Sequence, residues 1–165
     1  RAGVVIVVGL DPGPTNSGLC VYDSAAREGI EARKSISTAD ALALLTEVAS
    51  KFGIDLVAIE RVQSYGIAGA SLLRTAEVGG MLHQCASNLG LDVVWLYRRE
   101  VLRGLDVTGK GNRDSLVRQR LIEIHGGDRA SAVGTKAKPG PLYGVASHAW
   151  QALAVAVVAG MEAGA

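Results

Sequence analysis

Aromatic residues are scarce in this chain: one Phe, two Trp and four Tyr make up 4% of its 165 residues. A core must therefore be assembled from small and branched aliphatic side chains, which a 48% hydrophobic composition supplies. Cysteine is nearly absent as well. Cys20 and Cys85 have no metal-ligand spacing, which excludes a thiolate zinc site and a disulfide framework, and both are expected as reduced thiols. No apolar run has bilayer length, and the longest one near the C-terminus, residues 152–160 (ALAVAVVAG), is too short to span. Residues 4–10 (VVIVVGL) lack a basic lead-in and run into Asp-Pro, unlike a signal peptide. The chain opens on Arg rather than Met, for which a trimmed or processed N-terminus is the expectation. These absences predict a soluble, cytoplasmic protein with no membrane association. Its length fits a single domain, residues 1–165, able to bury roughly 70% of the surface of its unfolded chain.

Net charge of one sign is also missing, at +1 overall, but the two sections of the chain differ. Residues 1–96 carry seven Lys/Arg against ten Asp/Glu, whereas residues 97–165 carry ten against six. A basic section on a near-neutral protein permits a polyanionic partner on one face. Solvated helix faces would produce the same count.

Hydrophobic periodicity divides the chain without repeats or low-complexity linkers. Residues 4–10 read as a central strand buried on both faces. Residues 18–23 and 30–35 read as two short strands of an antiparallel meander. Ser37 or Thr38 caps a helix reaching about Phe52, with Ala41, Leu44, Leu45 and Val48 on one face and Gly53 after its end. Residues 54–60 form a fourth strand, 62–68 a loop, 69–88 a helix and 92–96 a fifth strand. Helical patterns follow at 98–104 and 112–125, joined by a loop over 108–112. Residues 126–144 show no periodicity, and a last helix is expected over 145–161. The order βββαβαβα…α resembles that of the ribonuclease H-like fold. The fold class this implies is α/β, with a five-stranded mixed sheet of three antiparallel then two parallel strands, flanked by helices.

Within that frame Asp11 stands out. It ends the first strand and leads into Pro-Gly-Pro-Thr-Asn-Ser-Gly, a position that presents a carboxylate to a metal ion or phosphate. It also suits an Asp that merely opens a turn. Glu60 ends the fourth strand, which in the ribonuclease H-like arrangement lies beside the first. His148 and Gln151 stand one helical turn apart in HAWQALAVA, hence on one face.

On these segments the chain resembles the RuvC-type Holliday junction resolvases of the ribonuclease H-like superfamily, and especially their shorter phage-borne relatives. GLDPGPTNSG is similar to the family's strand-one motif and aligns Asp11 with its first catalytic acid, and AIE aligns Glu60 with the second. YRREVLR followed by GKGNRDSLV is similar to the basic helix and junction-facing loop. His148 and Gln151 occupy the positions of the two C-terminal metal-binding residues, the second usually Asp. The resemblance implies an endodeoxyribonuclease that resolves four-way junctions or other branched DNA. It implies two Mg²⁺ per active site, with Mn²⁺ as a substitute, and a location in the cytoplasm of a bacterium or of a phage's host cell. Two such ions, about 3.5–4 Å apart, activate the attacking water and stabilise the departing 3′ oxygen. Asp11 would bridge both ions, Glu60 would hold one, and His148 with Gln151 would complete the other. Carboxylates crowded without a cation repel one another, which favours metal uptake.

Gln151 departs from the pattern, since its amide oxygen can ligate but brings no charge. Two accounts are open: an exchange that inactivates the protein, or a native site that leans on His148 or another acid. The first would make the chain a junction-binding protein without cleavage. A third class, the ATP-binding actin and sugar-kinase superfamily, shares the strand-Asp-x-Gly motif but needs two such domains, for which 165 residues leave no room.

For DNA contact the resemblance points to Lys110, Arg113 and Arg118, with Arg98 and Arg99, each phosphate contact adding a salt-dependent increment. Asp114 falls where the family has a basic residue, with Arg113 beside it. Lys136 and Lys138 lie in a glycine-proline loop that either orders over DNA or stays a surface loop. Gln63 takes the place nearest the family's wedging aromatic. Tyr65, two residues on, either stacks on an unpaired base or packs at the sheet mouth. Paired nicks call for two sites on a two-fold axis, hence a homodimer. Small Ala76, Gly79 and Gly80 on the helix at 69–88 either make its contact or pack on their own sheet. His83 and His125 are expected to be structural.

Overall fold

A computed structural model describes residues 5–164. Strands β1 (Ile6–Asp11), β2 (Asn16–Asp23) and β3 (Glu28–Ser37) form an antiparallel meander. Helix α1 (Thr38–Lys51) leads to β4 (Leu56–Arg61), and α2 (Ala70–Asn88) leads to β5 (Val93–Tyr97). Then follow α3 (Arg98–Gly104), α4 (Arg113–Gly126), the short α5 (Arg129–Ala132) and α6 (Ala149–Ala163). The sheet order is β3-β2-β1-β4-β5, with β1–β4 and β4–β5 parallel. The expected mixed sheet is therefore present, and β1 and β4 are neighbours. Val4, placed in the first strand by its sequence, lies outside the described residues.

Alternation along the strands assigns the two faces of the sheet. Ile6, Val8 and Leu10 of β1 pack with α1 and α2, in a cluster with Leu45, Val48, Val78 and Leu82. Val7 points the other way, with Ala58 of β4, into a cluster built around α6. Residues two apart share a face of a strand, so Asp11 and Glu60 belong to the α6 face. The ladder runs from Val7↔Leu56 to Leu10↔Ile59, which puts these two acids next in line on adjacent strands.

Helix α6 is buried along most of its length, from Ala149 to Gly160. That explains its apolar residues on all sides, the pattern of a helix inside a core. It lies very close to the sheet. A Cβ at Gly9 would overlap the Ala152 carbonyl oxygen, and one at Gly18 would overlap that of His148. Glycine at these two strand positions is what lets the start of α6 reach the tip of β1.

Two stretches differ from the sequence expectation. The last helix begins at Ala149 rather than at residue 145, because Ser147 adopts a left-handed backbone with φ 49°. Val145 is instead buried in a turn closed by its N–H donating to the Leu142 carbonyl. Residues 126–144 are not aperiodic loop: Asp128 caps α5 by accepting from the Ser131 N–H, and Gly134 pairs with Pro139 in a bridge. A four-residue helix is too short to show periodicity. Among the described residues no helix is long and apolar enough to cross a membrane.

Candidate active site

Three parallel strands, β1, β4 and β5, end at one edge of the sheet. The carboxyl ends of parallel strands are the usual ligand-binding edge of such sheets. Asp11 is the last residue of β1. The turn after it is tied down by the Gly13 N–H donating to Oγ of the buried Ser17 at 3.3 Å. Glu60 is the penultimate residue of β4. Arg98 follows β5 as the first residue of α3, whose start is held by Glu100 accepting from the Tyr97 N–H at 2.7 Å.

The two acids are largely buried, with side chains 20% (Asp11) and 16% (Glu60) exposed. Burial, reinforced by the Glu60 charge, pushes the Asp11 carboxyl up to about 7 from its ordinary 3.8, although Arg98 pulls the other way. Burial raises Glu60 as well, against the opposing pull of Arg98. Glu60 Oε2 is buried without a hydrogen-bond partner; its neighbour Arg98 Nη1, at 3.5 Å, makes an ion pair but no hydrogen bond. A desolvated, unsatisfied carboxylate oxygen beside a second acid is the donor set that a hard cation relieves.

His148 caps the start of α6 and places Nδ1 3.8 Å from Asp11 Oδ2, within ion-pair range but too far for a hydrogen bond. Gln151, one turn on, does not present a free acceptor. Its Oε1 accepts from Arg98 Nη1, while Arg98 Nη2 donates to Asp114 Oδ1 at the start of α4. Asp114 is positioned by Asn112, which caps α4 by accepting from the Asp114 and Ser115 N–H groups. Among the described residues, no three or more His, Cys, Asp and Glu side chains converge as a closed metal cage. The pair Asp11–Glu60 nonetheless fits Mg²⁺, which keeps several waters and needs only one or two carboxylates from the protein. A second ion on Gln151 does not fit the arrangement as it stands, because that amide oxygen already faces a cation.

An open depression beside these residues is lined by Asp114, Ser115, Arg118, His148, Trp150 and Gln151. Arg118 lies in it with its guanidinium 5.1 Å from the Trp150 ring centroid. Arg113 and Lys110 are exposed on the first turn of α4 and the loop before it. Arg99 is exposed and stacks over Tyr97 at 5.3 Å. Lys136 and Lys138 sit on a turn bonded within itself, where Thr135 and Lys138 exchange backbone hydrogen bonds. Tyr65 projects from the loop after β4, 86% exposed, its hydroxyl donating to Gln63 Oε1 at 3.2 Å. Ile67 on the same loop is fully exposed. Its signal in the sequence is an isoleucine flanked by Gly66 and Ala68 in a loop, outside any apolar periodicity.

Gly79 is buried, and a Cβ there would come 3.3 Å from the Trp95 ring of its own sheet, whereas Gly80 faces open space. His83 accepts from Trp95 Nε1 at 2.8 Å. His125 lies 3.1 Å from the Tyr22 hydroxyl and 2.7 Å from the Leu121 carbonyl, with burial lowering its pKa. Cys20 and Cys85 are free thiols.

No protein-family model matches the sequence, and no curated protein is significantly similar to it. Solved structures are similar over nearly the whole chain. One is Thermus thermophilus RuvC in complex with a Holliday junction substrate, 21% identical with a TM-score of 0.67, covering 96% of this chain and 94% of that one. Another is Thermus thermophilus RuvC, 20% identical with a TM-score of 0.65, covering 96% and 95%. At this level of identity the likeness concerns architecture, and it shows that the chain has a RuvC-type, ribonuclease H-like fold.

Proposed function

We propose that this chain is a structure-selective endodeoxyribonuclease that hydrolyses phosphodiesters in branched DNA, four-way junctions among them, with Mg²⁺ or Mn²⁺ as cofactor. The observation that carries this reading is the Asp11–Glu60 pair: two desolvated acids on adjacent strand tips, one with an orphaned oxygen. The fold, shared with a protein solved on a Holliday junction, supports the choice of substrate.

In the reaction a water oxygen forms a bond to phosphorus and the P–O3′ bond breaks, leaving a 5′-phosphate and a 3′-hydroxyl. Asp11 and Glu60 would hold the divalent metal, which would supply Lewis acidity toward the phosphate and acidify the attacking water. The two acids orient this group through their fixed strand positions. His148, half exposed at the rim, offers an imidazole acceptor for the proton the water gives up or a further ligand. The two-ion form of the centre, completed by His148 and Gln151, requires Gln151 to leave Arg98. Lys110, Arg113, Arg118, Arg99, Lys136 and Lys138 carry phosphates of the junction arms, and Tyr65 stacks on a base at its centre. A homodimer would pair two such sites for two nicks.

The test is Mg²⁺-dependent nicking of a synthetic four-way junction and of a linear duplex of the same sequence. Nicking confined to the junction and lost in Asp11→Asn is the expected outcome. Equal binding and nicking of both substrates would sink the structure-selective reading. Binding without nicking would leave the alternative, a junction-binding protein whose Gln151 bars cleavage.

A further inference from the structure

Arg98 belongs to a basic run in the sequence, yet its guanidinium lies inside the cluster of acids rather than on the rim. Gln151 from α6, Asp114 from α4 and Glu60 from β4 surround it. An Arg side chain gives up much rotamer freedom when held. Two directional hydrogen bonds from its planar fork fix both its position and its plane.

We infer that Arg98 is a catalytic residue of this site: its guanidinium, aimed by Gln151 and Asp114, is the built-in cation that contacts the scissile phosphate, and Gln151 is a positioning residue rather than a metal ligand. The inference rests on the nuclease reading and deepens it. Three features of the cluster carry it.

The first is the chemistry of position 151. A carboxylate there would add a third acid to Glu60 and Asp114, which already pair with Arg98, whereas the amide oxygen orients the guanidinium without adding negative charge. With its acceptor so occupied, Gln151 does not draw in a second cation. The second is Asp114, the other partner, which is 72% exposed. An ion pair that open to water is weak and screened, so a phosphate oxygen can displace it and take over the Nη2 donors. The third is Glu60. Its orphaned Oε2 lies 3.5 Å from Arg98 Nη1, so a cation on the Asp11–Glu60 pair and the guanidinium would flank the same spot. Arg98 moves no proton, since guanidinium stays charged in proteins. It donates to a non-bridging oxygen while the water oxygen–phosphorus bond forms and the P–O3′ bond breaks, the place where such a clamp lowers the barrier.

The experiment pairs single-turnover nicking of a four-way junction in Mg²⁺ with Mn²⁺ binding counted by electron paramagnetic resonance. It uses the full chain and the variants Arg98→Ala, Arg98→Lys, Gln151→Asp, Asp11→Asn and the double variant Arg98→Ala/Gln151→Asp. Loss of Arg98 should slow nicking about 100- to 1,000-fold, with junction affinity changed only a few-fold. Arg98→Lys should recover part of the rate, because a point charge lacks the fork. The unaltered chain should bind a single Mn²⁺. Gln151→Asp alone should gain none, its new carboxylate being captured by Arg98, and the double variant should take up a second. Mn²⁺ retained by Arg98→Ala shows that its site is still folded. If Asp11→Asn abolishes nicking while Arg98→Ala nicks at the full rate, or if the unaltered chain binds two Mn²⁺, the role of Arg98 is overturned and the nuclease reading stands. If Asp11→Asn nicks as fast as the chain itself, the nuclease reading falls and takes this one with it.

Discussion

The two sides of the candidate site are built by different means. Asp11 and Glu60 stand on the central strands of the sheet, where the β1–β4 ladder and buried Val8, Leu10, Val57 and Ile59 hold their backbones. Arg98, Asp114, His148 and Gln151 all come from the first turns of helices, or their caps, spread from residue 98 to residue 151. The strand side is rigid, desolvated and acidic. The helix side is more open, and Arg98, Gln151 and Asp114 satisfy one another through charge-assisted hydrogen bonds. Acids are thus crowded and desolvated where the backbone cannot move, and hydrogen-bonded where side chains can exchange partners with a ligand.

The sharpest way to break this contrast is to neutralise the strand side. Asp11→Asn or Glu60→Gln should cut junction nicking at least ~100-fold, as removal of a transition-state contact does. The same substitution should have the opposite effect on stability. Asp11 titrates at about 7 in the folded chain against 3.8 ordinarily, and Glu60 is raised too. Between those values the folded chain holds a proton that the unfolded chain has released. Stability without metal is therefore fullest below about pH 4 and falls as pH rises through about 7. Urea midpoints in chelator should be higher at pH 5 than at pH 8, and Asp11→Asn should flatten that difference and raise the midpoint at pH 8. A midpoint independent of pH would show that the acids are not under strain.

A smaller effect tests the contact that joins the two sides. Gly9→Ala puts a Cβ onto the Ala152 carbonyl and should cost about 1–3 kcal/mol through overpacking, read by denaturant unfolding. It should also slow nicking by shifting the start of α6. Gly53→Ala, with open space around its Cβ, should leave both unchanged. The smallest effects belong to the rim. Lys110→Ala and Arg113→Ala should each weaken junction binding modestly and reduce the slope of log affinity against log salt by about 0.9. An unchanged slope would remove that residue from the phosphate contacts.

The strand side was readable in the sequence because its causes are local. Apolar runs ending in Asp11 and Glu60 mark strands with acids at their tips, and the element order implies which strands adjoin. The helix side was readable only in part. A left-handed Ser147 moved the start of α6 to Ala149, and a residue's φ of this sign carries no hydrophobic signature. Arg98 looked like any member of a basic cluster, because nothing in a run such as YRRE tells which guanidinium turns inward. Gln151 looked like a weakened ligand, and its engagement with Arg98, 53 residues away in sequence, has no local trace.

By itself, then, the sequence determined the architecture, the acid pair and the small-residue helix that closes over it, since periodicity and strand-end chemistry act over a few residues. Only the tertiary structure decided which side chain Gln151 bonds. Hydrogen-bond partners are chosen by geometry at the ångström scale, and that geometry exists once α3, α4 and α6 have packed against the sheet.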